Sequence, residues 1–254
     1  MYKRIPCLKV DGTAATRDFH EVIEEVPMAL FVNGRQAMTA MMSPVDLEDF
    51  VIGYLLTEQI IAGVDEIESI RIEQNRLDVV TTNPVAVESH RMTIFTGGGR
   101  SRSGIDTETL PRLSSDYTIT TDDIRAAIAA VFDSALHALT GGVHVVALLD
   151  GRQVVALAED IGRHNALDRV VGCGARRGLD LSRTHLVISG RISSEMVRKS
   201  LVAGIPIIVS RAATTTLALT VAERTGLTVV GFARGAKMVV YTHPGRIRGT
   251  EAAG

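Results

Sequence analysis

Charged and hydroxyl side chains gather at short stretches in the second half of this chain, each where an apolar run gives way to a turn. The first is Ala158-Glu159-Asp160-Ile161-Gly162-Arg163-His164-Asn165-Ala166-Leu167-Asp168-Arg169. Asn165 can cap a helix here and Asp168, three residues on, can answer it, which leaves Glu159, Asp160, Arg163 and His164 on the turn. Titratable groups crowded on one turn mark a site, although the same residues also make a capping and salt-bridge cluster that merely closes the turn. The second stretch, Val187-Ile188-Ser189-Gly190-Arg191-Ile192-Ser193-Ser194-Glu195, sets Arg191 before a helix that Ser193 can cap. It reads as an anion site, or as a simple N-cap with Glu195 favouring the helix dipole. The third, Val209-Ser210-Arg211-Ala212-Ala213-Thr214-Thr215-Thr216, repeats the plan with hydroxyls.

Near the end, Gly231-Phe232-Ala233-Arg234-Gly235-Ala236-Lys237 links two apolar runs. Phe232 can stack on a ring while Arg234 and Lys237 meet phosphates; the alternative makes Phe232 core and the cations solvated hairpin charges. His144, at the start of an apolar run after Gly141-Gly142-Val143, reads as a structural histidine rather than a ligand. Zinc deaminase chemistry would need a His-x-Glu and a Pro-Cys-x-x-Cys, neither of which is present. Gly97 to Gly104 matches neither a dinucleotide fingerprint nor a P-loop.

The elements that would position these groups follow from periodicity. Asn33-Gly34, between Ala29-Leu30-Phe31-Val32 and Arg35 to Met38, predicts a hairpin in a β-rich opening from Phe19 to Thr39. A helix from Pro44 to about Ile61 has Ser43 as N-cap, and residues 67–95 give two or three further strands turning at Asn75 and Asn83-Pro84. A loop without apolar residues covers 96–104, and a polar connection runs to about Thr121. Asp122 to Leu139 reads as one helix. Strands follow at 143–149, 153–158, 184–189, 205–210, 227–232 and 237–241, with helices at about 165–177, 194–203 and 214–225. This alternation predicts an α/β fold: a three-layer, mostly parallel sheet domain over 122–247, preceded by a smaller β-rich α+β domain over 17–104. Ligands of such sheets sit beyond the carboxyl ends of the strands, where the first three polar stretches fall.

Composition agrees. A chain of 254 residues buries ~70–75% of its unfolded surface, enough for a sizeable core. Apolar residues make up 46% and aromatics 4%, with no Trp, so that core is aliphatic. A net charge of −2 offers no general attraction to nucleic acid or an anionic membrane. Of the 27 basic residues only Lys3, Lys9, Lys199 and Lys237 are lysines, a skew that reflects codon usage or a demand for planar phosphate clamps. The opening Met-Tyr-Lys-Arg-Ile-Pro-Cys lacks the apolar core of a signal peptide, and no apolar run is long enough to span a bilayer, so a cytoplasmic protein is expected. Cys7 and Cys173 are the two cysteines, too few for a disulfide framework or a four-cysteine zinc site.

These residues resemble the formate dehydrogenase accessory proteins, the FdhD family, along most of the chain. The resemblance is carried by Thr140-Gly141-Gly142-Val143-His144, by Glu159 to Asp168, by Ser189-Gly190-Arg191-Ile192-Ser193-Ser194-Glu195-Met196 and by Phe232-Ala233-Arg234. Earlier matches are Glu25-Val26-Pro27 through Val32-Asn33-Gly34 and Gly53-Tyr54-Leu55-Leu56-Thr57-Glu58. The resemblance implies a large domain similar to cytidine deaminases, homodimers, and a role in maturing molybdenum formate dehydrogenase. It also implies that sulfur passes as a cysteine persulfide from a cysteine desulfurase to the bis-guanine-dinucleotide molybdenum cofactor, destined for the dehydrogenase's catalytic subunit. Phe232, Ala233, Arg234, Gly235, Ala236 and Lys237 fall on the stretch the family assigns to that cofactor, and Arg163, His164, Arg191 and Ser193 join them as candidate contacts; a guanine nucleotide would serve as a partial ligand.

The chain departs from the family at the loop that typically carries Cys-Gly-x-Cys-Gly. Here it reads Arg100-Ser101-Arg102-Ser103-Gly104, so Arg100 and Ser103 stand at the cysteine positions. Neither a guanidinium nor a hydroxyl can hold sulfane sulfur. Cofactor binding is therefore expected to survive without the usual relay, or sulfur transfer to be rerouted through Cys7, near the N-terminus, or Cys173, within a helix.

Overall fold

A computed structural model of the protein describes residues 1–83, 93–94 and 110–249. The chain opens with an antiparallel hairpin, β1 (Tyr2–Asp11) and β2 (Ala14–Ile23), which forms its own two-stranded sheet. Next come β3 (Val26–Val32), β4 (Arg35–Met42), α1 (Leu47–Thr57), β5 (Ile67–Glu73), β6 (Arg76–Thr81) and β7 (Thr93–Ile94), whose sheet has the order β5-β6-β3-β4-β7. Asn33 (φ 49) and Gly34 (φ 77) turn β3 into β4, because both residues tolerate the left-handed region. Phe50, Val51, Tyr54 and Leu55 of α1 pack on Met28, Leu30, Met38, Ala40 and Leu77 to form one core.

The remainder begins with β8 (Ile119–Thr120), α2 (Thr121–Val131), α3 (Ala135–Thr140), β9 (His144–Asp150) and β10 (Gln153–Asp160). It continues with α4 (Arg163–Arg176), β11 (His185–Ile188), α5 (Ser194–Val202), β12 (Ile207–Ser210) and α6 (Thr216–Thr225). It ends with β13 (Thr228–Arg234), β14 (Lys237–Val240) and β15 (Ile247–Arg248). The large sheet runs β10-β9-β11-β12-β13-β14. Its β11–β12 and β12–β13 pairings are parallel, whereas β10–β9, β9–β11 and β13–β14 are antiparallel. The expected mostly parallel sheet is thus a mixed one, because short hairpin connections reverse the chain at residues 151–152 and 235–236, and only helical crossovers keep strands parallel. The layers do appear: α4, α5 and α6 cover one face through Leu167, Val170, Met196, Leu201 and Val221. The other face meets α2 and β15 through Ile124, Ala127, Val131 and Ile247.

Several boundaries differ from expectation. Ser43 is no cap: its backbone N–H donates to Asp160 Oδ2 (3.0 Å), and α1 starts only after Asp46, which is left-handed at φ 44. The single helix expected over 122–139 breaks into α2 and α3, each with its own cap. Thr120 and Asp123 form a reciprocal capping box, and Ser134 Oγ accepts from His137 N–H. Among the described residues, no helix is long and apolar enough to cross a membrane.

Where α1 crosses α4 the backbones touch. A Cβ on Gly53 would overlap the carbonyl of Asp168, and one on Gly172 would overlap that of Asp49. Only glycine permits this approach, and it brings Thr57 and Glu58 onto the charged residues of α4 and α5.

Candidate functional site

Along one edge of the large sheet lie the carboxyl ends of β10, β11, β12 and β13. Antiparallel β9 contributes its first residue, His144, opposite Asp160. The turns after these strands are strapped in sequence. Ser210 Oγ donates to the Gly190 carbonyl (2.6 Å), Arg211 N–H to Ile188 (3.3 Å), Ile192 N–H to Ala213 (3.0 Å), and Phe232 N–H to Ala212 (3.0 Å). The polar turns legible in the sequence therefore form one continuous rim.

At the first turn the residues divide by role. Asp160 is fully buried and accepts from Ser43 N–H (3.0 Å), Gly162 N–H (2.7 Å), Asn165 Nδ2 (2.9 Å) and the Arg169 guanidinium. Arg169 also donates to the Ser43 carbonyl (2.6 Å), so this cluster ties the end of β4 to α4. Glu159 accepts from Ser134. Asn165 does not cap α4, which begins at Arg163 behind Gly162, and Asp168 does not answer it. Both are buried inside the helix, where Asn165 Nδ2 reaches the Met41 carbonyl (2.9 Å). What remains free of this scaffold is Arg163 and His164.

Six buried side-chain atoms lack a hydrogen-bond partner among the described residues, and three of them belong to this rim: Arg163 Nε, His164 Nε2 and Ser193 Oγ. An unmet buried donor or acceptor costs ~1–3 kcal/mol. A ligand that bonded these atoms would recover that cost. Ser193 holds the N-cap position of α5 without making the expected side-chain bond, so its buried hydroxyl and the first N–H groups of the helix are left for another partner. Burial and then Arg163 push the His164 imidazole down to about 3, leaving it neutral at physiological pH. Burial and then Arg191 also lower Arg163. A half-buried guanidinium repelled by an exposed one favours an anion between them.

The second group is the β13–β14 turn. Phe232 sits at φ 50 with 44% of its surface exposed, so it is not core; a bulky side chain in the left-handed region is strained, as at ligand clamps. Its ring, with Arg234, Ala236, Lys237 and, from α2, Thr121 and Arg125, lines a cleft of about 750 Å³. The Ala233 side chain is 1% exposed and belongs to the core beneath. Gly235 (φ 55) completes the turn. Arg234 Nε donates to the Arg211 carbonyl (3.0 Å), so β12 and its turn lie between this group and Arg163, His164, Arg191 and Ser193. Arg125 was missed in the sequence because it lies on the separately read α2, with nothing local to distinguish it.

Behind the rim a charged network joins α1, α4 and α5. Lys199 Nζ bonds both oxygens of Asp168 (2.9 Å each), Thr57 Oγ1 (2.9 Å) and Glu58 (2.9 Å). Thr57 Oγ1 also donates to Asp168 (2.8 Å), and Arg198 pairs with Glu58 (2.5 Å). Burial, its largest cause, shifts Asp168 upward despite Lys199; burial would lower Lys199, but Asp168 and Glu58 face it and shift it upward. Burial would raise Glu58 too, but Lys199 and Arg198 hold it at about 2. This network fixes the relative placement of the two helices whose N-termini carry Arg163, His164 and Ser193.

The positions of the family cysteines, Arg100 and Ser103, lie outside the described residues. Cys7 is in the middle of β1, opposite Asp18, rather than in a loose tail. Cys173 is partly buried on α4 and packs against the core, ten residues from Arg163 and thus ~15 Å along the helix axis.

Comparison with known proteins places this geometry. Residues 23–248 match the model of the FdhD/NarQ family. The chain is 35% identical to the sulfur carrier protein FdhD of Methanothermobacter thermautotrophicus, over 97% of this chain and 99% of that one. To the protein of the same name from Geobacillus kaustophilus it is 33% identical, over 96% and 97%. A crystal structure of a candidate formate dehydrogenase accessory protein from Desulfotalea psychrophila superimposes with a TM-score of 0.83 at 27% identity, covering 97% of this chain and 99% of that one. With sequence and fold matched from end to end, the chain belongs to the FdhD/NarQ family.

Proposed function

We propose that this protein serves formate dehydrogenase maturation by binding the bis-guanine-dinucleotide molybdenum cofactor along the rim. The observation that carries this reading is that Arg163 Nε, His164 Nε2 and Ser193 Oγ, on turns of the same sheet edge that carries Arg191, are buried and without partners among the described residues. Diphosphates would take the Arg163, Arg191 and Ser193 end, and a guanine ring would stack on Phe232, with Arg234 and Lys237 at its phosphates. The relatives are named sulfur carriers, and the accessory role implies association with formate dehydrogenase, the cofactor's recipient. A cytidine-deaminase-like origin for the large sheet belongs to the same reading, without the zinc ligands of those enzymes.

In this chain the cofactor is cargo held without a loop thiol. With Arg100 and Ser103 in place of cysteines, no persulfide can form there. Calorimetric titration with GDP, as the accessible half of the dinucleotide, tests the reading. Binding that is lost in Arg163→Ala and Arg191→Ala supports it, and no binding to the wild type refutes it. Rerouted sulfur transfer is tested separately. After incubation with a cysteine desulfurase and cysteine, a mass increment of one sulfur atom on Cys7 or Cys173 would revive it; none is expected.

A further inference from the structure

His144 is bound into the rim by the turn that follows β11. Ser189 Oγ accepts from the Val145 N–H (3.0 Å), and Ser189 N–H donates back to the Val145 carbonyl (2.9 Å), so the hydroxyl is fixed in place. Its one proton is then available to His144 Nδ1, 3.4 Å away. That makes Nδ1 the acceptor and puts the ring's proton on Nε2, which has no partner among the described residues. A side chain on Gly190 would come within 3.1 Å of His144 Nδ1 and 3.2 Å of Arg163 Cδ. The imidazole and the arginine stem therefore converge over the backbone of the same turn that presents Arg191 and Ser193. Five groups face the ring from every side: Arg163 and His164 from α4, Asp160 from β10, His137 from α3 and Ser189 from the β11 turn.

We infer that His144 is a further ligand-contacting residue of this rim, which takes up a proton from solvent when a phosphate-bearing ligand settles beside Arg163. The inference rests on the cofactor site proposed above. In the free protein, burial and then Arg163 lower the pKa of His144, outweighing Asp160, and the ring is neutral. A bound phosphate reverses that balance by neutralising Arg163 and offering the imidazolium a charged acceptor. On protonation Nδ1 becomes a donor, and Ser189 Oγ turns its own proton away and accepts from the ring. The structural reading of His144 drawn from sequence is replaced by one in which the ring is a proton-coupled contact.

The test is calorimetric titration of the wild-type protein with GDP near neutral pH, repeated in two buffers of different ionisation enthalpy. The observed enthalpy should differ between buffers by an amount equivalent to uptake of part of a proton, and affinity should rise as pH falls toward about 6. His144→Gln, which keeps a polar amide in place of the ring but cannot be protonated, should abolish the buffer dependence and weaken binding ~10-fold. Equal enthalpies in the two wild-type titrations, with GDP bound, overturn the role of His144 and leave the cofactor site standing. Failure of the wild type to bind GDP overturns both.

Discussion

At the scale of single residues, the buried histidine outside the rim sets an acid limit. Tyr117 Oη accepts from Gly151 N–H (2.9 Å) and sends its proton to His185 Nδ1 (3.1 Å), leaving His185 Nε2–H buried and unpartnered. Burial pushes His185 down to about 4, whereas in the unfolded chain it titrates near ~6.5. The unfolded state thus binds the extra proton first, and stability falls as pH drops from about 6.5 to about 4 by ~1.4 kcal/mol per pH unit for each such histidine. His164, depressed to about 3, adds to the slope. His185→Gln should lower the slope of melting temperature against pH in this window by one proton's worth; an unchanged slope would mean that His185 is already protonated when folded. Lys199 offers the opposite case. Lys199→Met leaves Asp168 buried without its cation, while Glu58 keeps Arg198, and should cost ~3–5 kcal/mol in denaturant unfolding.

The elements show why close approach and strain sit where they do. Gly53 and Gly172 let α1 and α4 cross with backbones touching, which seats Thr57 and Glu58 on the α4–α5 charges. In Gly172→Ala the new methyl would overlap the Asp49 carbonyl and lie 2.7 Å from Gly53 N; the helices must part, and urea unfolding should show a loss of ~1–3 kcal/mol or more. The β13–β14 turn makes the converse prediction. Phe232 holds a left-handed backbone with its ring exposed, so Phe232→Gly relieves strain of ~1 kcal/mol. Melting temperature should hold or rise while GDP binding weakens ~10-fold through lost stacking. A variant that lost stability instead would place the ring's role in folding.

For the whole molecule, sequence reasoning succeeded where signals are local and failed where partners are distant. The Asn33-Gly34 hairpin, the alternation of apolar strands with helices and the gathering of polar turns at one edge were legible, because turn chemistry and periodicity are written into neighbouring residues. Asp168 was read as a cap because its true partner, Lys199, lies 31 residues on. Ser43 was read as a cap because Asp160 lies 117 residues away. The sheet's mixed direction was hidden in connections too short for a crossover. The β1–β2 hairpin was overlooked because its strands lack a buried face: Tyr2, Ile5, Leu8, Val10, Phe19 and Val22 are all exposed. That same fact yields a prediction for the protein as a unit. None of the three apolar cores contains a residue before Val26, and the family match begins only at residue 23. The hairpin's visible ties to the rest are slight: Ile23 packs against Gly142, and β2 lies along α3. Deleting residues 2–22 should therefore shift the melting temperature by no more than ~2–4 °C, the change expected from losing about 1 kcal/mol in a chain of this size. GDP affinity should be unchanged, since His144, Arg163, Arg191, Ser193 and Phe232 are all placed by the large sheet. A truncated protein that unfolded would show that the hairpin is part of the fold, and one that folded yet lost GDP would make it part of the site.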